Sequence, residues 1–308
     1  MVPAETIARS GGEARTLQGG WIRARLWTGR HAQWWLLLPM LAFVIGFFLL
    51  PLLGMLTISF YQSAPGRVYV PQFSADSYVR FLADPWYWGL LWRTIWLALV
   101  VTAICLAVGY PLSYWIWRAR GASKALLMGT VLVPLFTNLI ARLYGWQIIL
   151  SKSGPLNFAL GELGVLDKPV LFNYNFGAVV VGLTHIALPY FVLILVSVLE
   201  GLDRSLIEVA RNLGAGRLRS LVEVVLPLSA PGLATATAIT FAWGMGAYAE
   251  PLILGSPREW TMSVEAERQI LAGFDWPFGA TIAFVLVASM LVLIFLLIKA
   301  FTRKGAVR

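Results

Sequence analysis

Six long apolar stretches, at about residues 34–60, 94–117, 125–149, 176–199, 230–254 and 279–301, alternate with segments rich in charge, proline and glycine. Each is long enough to cross about 30 Å of hydrocarbon as a helix with its backbone polar groups bonded internally. The pattern predicts an all-α integral membrane protein with six transmembrane helices. Several stretches exceed one crossing, which implies tilt or extension past the bilayer. The first carries Pro39, Gly46, Pro51 and Gly54 and is expected to be kinked or peripheral. The segments 61–93, 151–175 and 255–278 are too long for simple turns and are expected to fold as short elements over one membrane face.

The segment 203–227, between the fourth and fifth stretches, has a pattern of its own. Ser205-x-x-Glu208 reads as a capping box, with Ser205 as N-cap and Glu208 reaching back. Gly214 suits the left-handed residue that ends a helix. Leu206, Ile207, Ala210 and Leu213 fall on one face of the intervening turns. A second helix is expected from about Arg217 to Leu226, interrupted by Pro227 and Pro231 at the entry to the fifth span. The bland reading of this segment is a capped surface hairpin; the sharper one is a docking site for a cytoplasmic partner.

Composition agrees with a membrane location. Of 308 residues 59% are hydrophobic and 13% charged, with a mean hydropathy of +0.75, against about a quarter charged in soluble domains. The net charge of +9 reads as topology rather than nucleic-acid binding. Sixteen Lys and Arg residues fall in the termini and the segments near 118–124 and 204–219, and seven in the three other connections. The positive-inside rule puts both termini in the cytoplasm, with attraction to lipid headgroups as a secondary effect. Residues 1–33 form a basic segment without a cleavable signal, expected to be disordered at its start, with 21–35 able to lie in the interface as an amphipathic helix. The membrane-spanning body is then 34–302, and 303–308 a cytoplasmic tail. Trp34, Trp35, Trp86, Trp88, Trp92, Trp115, Trp117, Trp146, Trp260 and Trp276 lie where spans meet headgroups. Cys105 is the single cysteine, which excludes an intrachain disulfide.

The spacing Glu208-x-Ala210-x3-Gly214-x9-Val224-x-Leu226-Pro227 resembles the EAA signature of ABC importer permeases, with Val209 for the usual Ala and Val224 for the usual Ile. Asn138-Leu139-Ile140-Ala141-Arg142-Leu143-Tyr144-Gly145-Trp146, Gly154-Pro155-Leu156-Asn157 and Asp275-Trp276-Pro277-Phe278-Gly279-Ala280 are similar to the spermidine/putrescine-type branch, over about residues 35–300. The resemblance implies a type I importer permease of the bacterial inner membrane. Its short helix would be the coupling helix, with Ser205, Glu208, Ala210, Arg211, Asn212, Leu213, Gly214 and Pro227 as coupling residues. It further implies a second permease subunit, forming a heterodimer, two ATP-binding subunits carrying ATP and Mg, and a periplasmic binding protein. Polyamines are the expected substrates, with other small organic cations, opines, phosphonates or iron as alternatives within the branch.

No Gly-x4-Gly-Lys-Ser/Thr occurs, so nucleotide hydrolysis is expected in a partner and no catalytic residue or cofactor in this chain. With His31 and His185 as its only histidines, no metal site is expected. Arg142 and Glu250 fall inside apolar stretches, where charge is costly and marks function. Two readings stand: the pair offsets its own desolvation across helices, or Glu250 joins Trp243 and Tyr248 in a cation path with Asn138, Arg142 and Tyr144 nearby. His185 is expected near the midplane, packed or hydrogen-bonded between helices. Gly244 and Gly246 permit close helix approach or local unwinding. The rival from another class is a secondary transporter or channel acting alone, for which the spans offer few ionisable groups.

Overall fold

The computed structural model describes residues 30–64, 67–203 and 205–305. The expectations for the basic start and for the last residues of the tail lie outside them. The chain divides into two units, Met1–Thr57 and Ile58–Arg308. In the first, α1 comprises Arg30–Val44, a π turn at Ile45–Leu49, and Leu50–Ser59, whose last two residues belong to the second unit.

The second unit continues with β1 (Tyr61–Ala64) and β2 (Arg67–Phe73), an antiparallel pair with irregular register, then α2 (Asp76–Ala83) and α3 (Pro85–Arg118). Asp84 opens α3 by accepting the Trp86 amide at 2.8 Å, with Pro85 at the first helical position where its missing N–H costs nothing. α4 (Gly121–Leu132), α5 (Leu139–Ile149) and α6 (Pro155–Glu162) follow, then α7 (Phe176–Glu200), α8 (Ser205–Asn212) and α9 (Arg217–Met245). The chain ends through α10 (Ala249–Leu254), α11 (Met262–Leu271) and α12 (Trp276–Gly305).

α7 is the axis of this unit. It is apolar on all sides, and Val179, Leu183, Phe191, Leu195 and Leu199 are fully buried along its length. One core joins it to α3, α5, α9 and α10, and a second joins α2, α3, α9, α11 and α12. Gly244 sets the approach of α9 to α3: a Cβ there would lie 2.7 Å from the Ala98 Cα. Close approach is thus the use of Gly244, while Gly246 lies past the end of the helix.

The spans depart from the expected stretches at their prolines. The third is two helices: around Pro134 the chain forms a 3-10 turn at Val133–Phe136, and the segments on either side meet at a bend of 102°. The fifth begins at Arg217 and runs unbroken through Pro227 and Pro231, contrary to the expected interruption. A π turn at Leu221–Val225, with the Leu226 amide bonded to the Leu221 carbonyl, precedes Pro227. That wider turn gives the ring room where a regular α-turn would set it against the carbonyl four residues back. The π turns at Ile45–Leu49 and Cys105–Gly109 stand in the same relation to Pro51 and Pro111. In all three the proline follows two residues after the turn and the helix continues.

Two of the motifs that resemble the spermidine/putrescine-type branch act as struts. Asn157 is buried, donates to the carbonyls of Ser151 and Val170 at 2.8 Å each, and accepts the Val170 amide at 2.8 Å, closing the segment around α6. Asp275 accepts from Ser63 at 2.6 Å, pairs with Arg80 at 3.0 Å and caps α12 through the Phe278 amide. It thereby ties hairpin, α2 and α12 at the end of the unit opposite α8. At the α8 end, Lys124 and Glu200 join the start of α4 to the end of α7 at 2.6 Å.

Candidate functional site

Two regions carry the residues singled out by sequence. The first is α8 and its junction with α9. Ser205 is the first helical residue rather than the N-cap. Its amide donates to the Asp203 carboxylate at 2.9 Å, and the Leu206 amide donates to the Asp203 carbonyl. That bond holds the exposed Asp203 carboxyl below the usual carboxylate range. Glu208 is exposed and makes no side-chain bond to a described residue. The other end follows expectation closely: Gly214 has φ of +88°, its amide bonds the Arg211 carbonyl, and the Ala215 amide bonds that of Ala210. These two bonds form a Schellman motif, which satisfies the last carbonyls and fixes the exit direction.

The apolar residues of α8 divide between two faces. Ile207 packs against the main core beside Leu221, Val225 and Leu226. Leu206, Val209 and Leu213 are exposed, Leu213 to 83%. Arg211 and Asn212 are exposed beside them, and Ala210 is half-buried. The short helix is anchored on one side and presents an unpaired apolar strip on the other.

The second region lies within the bundle, where α5, α7 and α10 meet. Asn138 places α5 by accepting the amides of Ile140 at 2.9 Å and Ala141 at 3.3 Å, so its side chain is committed as a cap. One turn later Arg142 is buried to 6% exposure, and across from it Glu250, on α10 rather than in the fifth span, to 5%. The two sense each other's charge without forming a direct ion pair. The Arg142 Nε has no hydrogen-bond partner among the described residues. Glu250 passes Gly182 of α7: a Cβ there would stand 3.7 Å from the Glu250 Cγ and would clash with Leu254. Gly182 is a positioning residue that sequence reading missed. His185, a turn along α7, accepts a hydrogen bond from the Trp146 indole at 2.9 Å, the interhelical bond expected of it. On its other side His185 borders a cavity of about 370 Å³, with Ile104, Thr130, Pro134, Thr184 and Pro189 on its walls.

Trp243 and Tyr248 do not join this buried cluster. Trp243 stacks on Tyr190 of α7 with centroids 4.8 Å apart and is 39% exposed; Tyr248 is 37% exposed. Tyr144 is 54% exposed, with no ring or hydrogen-bond partner among the described residues. The structure therefore separates the expected set into a buried charged group, Arg142 with Glu250, and an accessible aromatic group. The linker 246–248 and the start of α10 bring this about, for Glu250 is turned inward just after the last aromatic.

Comparison with known proteins places these features in a family. Residues 127–304 match the binding-protein-dependent transport system inner membrane component. The chain is 32% identical over 262 residues to the spermidine/putrescine transport system permease protein PotB of Escherichia coli, covering 84% of this chain and 95% of that one. It is 30% identical over 259 residues to the corresponding protein of Haemophilus influenzae, covering 84% and 90%. Among solved structures, a bacterial ABC transporter involved in import of the acidic polysaccharide alginate has a chain of the same fold. It aligns with a TM-score of 0.69 at 18% identity, over 91% of this chain and 99% of that one. A chain of the MetNI methionine ABC transporter aligns at 0.53 and 21%, over 72% and 97%. With its family match, its crossings and its EAA-type segment folded as a separate short helix, the chain belongs to the binding-protein-dependent transport system inner membrane components and is a permease subunit of an ABC importer.

Proposed function

We propose that this permease carries polyamines, or a closely related small organic cation, and that α8 is the element through which ATP-binding partners drive it. One observation carries the coupling part. α8 is fixed at both ends, by Asp203 and by the Gly214 motif, yet Leu206, Val209 and Leu213 point away from the chain. A short stiff helix with an uncovered apolar strip suits a groove on another protein. The absence of a phosphate-binding loop in the chain supports the assignment of ATP and Mg to that partner. The substrate part rests on the similarity to spermidine/putrescine permeases across most of both chains.

The assembly in this reading comprises a second, different permease subunit, two ATP-binding subunits and a periplasmic binding protein. Both termini and α8 lie on the cytoplasmic side, in keeping with the excess of Lys and Arg there. Closure of the ATP-binding pair pushes α8. Because α9 continues without a break from the α8 junction, the push reaches the far end of the fifth span as a rigid displacement. The cavity then opens outward to receive substrate from the binding protein.

Reconstitution tests this directly. The four-component complex in proteoliposomes, supplied with binding protein loaded with labelled putrescine or spermidine, should show uptake that requires internal ATP. The isolated chain should show none. Uptake by the chain alone would instead establish a secondary transporter.

A further inference from the structure

We infer that this permease holds an anionic phospholipid at its α8 end. The phosphate would sit at Arg118 and Arg120, where α3 turns into α4, and one acyl chain in the cavity bordered by α3, α4 and α7. The inference concerns the membrane rather than the transported solute and stands whichever solute is carried.

The cavity, of about 370 Å³, is lined by Ile104 and Leu112 of α3, Thr130 and Val131 of α4, and Val181 and Leu188 of α7. Ile104 and Leu112 stand on either side of the π turn at Cys105–Gly109, and Val131 shortly precedes the 3-10 turn at Val133–Phe136. The space thus opens where two helices are irregular. No carboxylate, Lys or Arg lines it. Of its polar side chains, Thr130 gives its hydroxyl to the Leu126 carbonyl at 3.0 Å, and His185 accepts the Trp146 indole at 2.9 Å. An apolar void stays dry, and its lining forfeits dispersion contacts until something apolar fills it. The volume exceeds the ~150 Å³ that takes a benzene ring, so it admits a run of methylenes. Thr130 and Val181 are exposed, which leaves the cavity open to the side.

Its depth matches one leaflet. Trp115, 69% exposed, lies with Arg118 at the end of α3 and marks the headgroup level. From Arg118, Leu112 lies ~9 Å along α3 and Ile104 ~21 Å, and from Gly121, Thr130 lies ~14 Å along α4, at ~1.5 Å per residue. Half the hydrocarbon thickness is about 15 Å, so the cavity spans the acyl depth of the leaflet on the α8 side. The same two helices carry free charge at its foot. Among the described residues, exposed Arg118 hydrogen-bonds only the Tyr114 hydroxyl, at 3.3 Å, and the exposed Arg120 side chain bonds none. Lys124, by contrast, is taken by Glu200. Guanidinium groups bind phosphate in short, often bidentate pairs, and basic sites between helices on the cytoplasmic side hold anionic headgroups. A helix of a partner subunit could fill the apolar space but would leave both cations unanswered; one lipid satisfies both.

The test uses the four-component complex in phosphatidylcholine nanodiscs with a trace of phosphatidylglycerol bearing a diazirine at mid-chain. After irradiation, label should concentrate in residues 104–112, 130–134 and 180–189 above the level of the other exposed spans. Unlabelled phosphatidylglycerol should compete for this labelling better than added phosphatidylcholine. Val181→Trp, which closes the mouth from an exposed position, should bring these segments down to the level of the other spans. Arg118→Gln with Arg120→Gln should lower their labelling about tenfold, through loss of two cations that attract anionic lipid. Both arginines lie outside the packed core, so this variant reports even where the Trp disturbs folding. Label spread evenly over all exposed spans, or unchanged by the arginine variant, overturns the lipid site. So does a disulfide-type crosslink from Val181→Cys to the second permease subunit with no lipid label here, which would show that a partner helix fills the cavity.

Discussion

Pro134 and Pro227 sit at comparable places, near a junction within an apolar stretch, and their helices respond in opposite ways. At Pro134 the chain tightens into a 3-10 turn and bends by 102°; at Pro227 it widens into a π turn and runs on for the full length of α9. The proline is the same, so the difference lies in what surrounds it. After Pro134, Asn138 accepts two amides and can start a new helix. After Pro227 no capping side chain follows, and the intact backbone ladder is the better way to satisfy polar groups in hydrocarbon. The bend delivers Arg142 into the bundle, and the straight run joins the α8 junction to the far end of the fifth span. The two proline sites thus have different geometries, one a corner and one a rod.

The largest expected effect comes from disabling the input to the rod. Gly214→Pro demands a backbone with φ near −65° where the structure has +88°, and it also removes the amide bonded to Arg211. Uptake should fall to background. ATP hydrolysis should either continue without transport or disappear together with co-purification of the ATP-binding subunit. Normal coupled uptake in this variant would remove α8 as the lever.

Next in size is the corner's cargo. Arg142→Leu leaves Glu250 buried without a compensating cation, which should cost on the order of 3 kcal/mol of stability, read as a lowered melting midpoint of the detergent-solubilised complex. Arg142→Leu combined with Glu250→Leu should recover most of that loss. Equal loss in the single and double variants would show that the two charges do not act as a pair. Transport by the double variant, if retained, would place Glu250 in the scaffold and outside the substrate path.

Much of this was legible in the chain beforehand. The six apolar stretches, the short helix at 205–212 and the left-handed Gly214 all follow from period, composition and backbone preference, which are local properties. The corner at residues 134–138 was hidden because apolar composition continues across it and Asn138 reads equally well as a polar residue inside a span. Glu250 was misplaced for the same reason: an apolar run from 230 to 254 does not reveal that Gly246 ends one helix and Ala249 begins another. Gly182 carried no signal of its own, since it matters only through what another segment places beside it. The capping box failed on a competition: Asp203 lies two residues earlier and its charged carboxylate is the stronger acceptor for the first free amide.

The contrast between corner and rod also predicts unequal responses to small changes. Asn138→Ala should cost about 1 kcal/mol, the usual loss on removing a helix cap, and should loosen the orientation of α5. Pro227→Ala should change stability by less than about 0.5 kcal/mol, because the π turn already accommodates the ring and the helix is continuous without it. Melting of the two variants side by side decides the matter: a larger loss for Pro227→Ala would mean that the proline itself, rather than the capping side chain, governs each junction.

The smallest effect concerns the start of α8. The Ser205 amide stabilises the ionised form of Asp203, so the carboxyl titrates below its usual range in the folded chain. A group depressed on folding contributes stability that is fully present above its unfolded pKa, about 3.9 for Asp, and is lost as pH falls through the lower folded value. The first turn of α8 should therefore stay protected at neutral pH and fray only below about pH 4. In Asp203→Asn the side chain still offers an acceptor but no charge, so the pH dependence should vanish while modest protection remains. Amide exchange of residues 205–208, compared between the two proteins across that range, measures the difference. Identical pH profiles would mean that the Asp203 bond does not hold the near end of the lever, leaving the Gly214 motif to fix it alone.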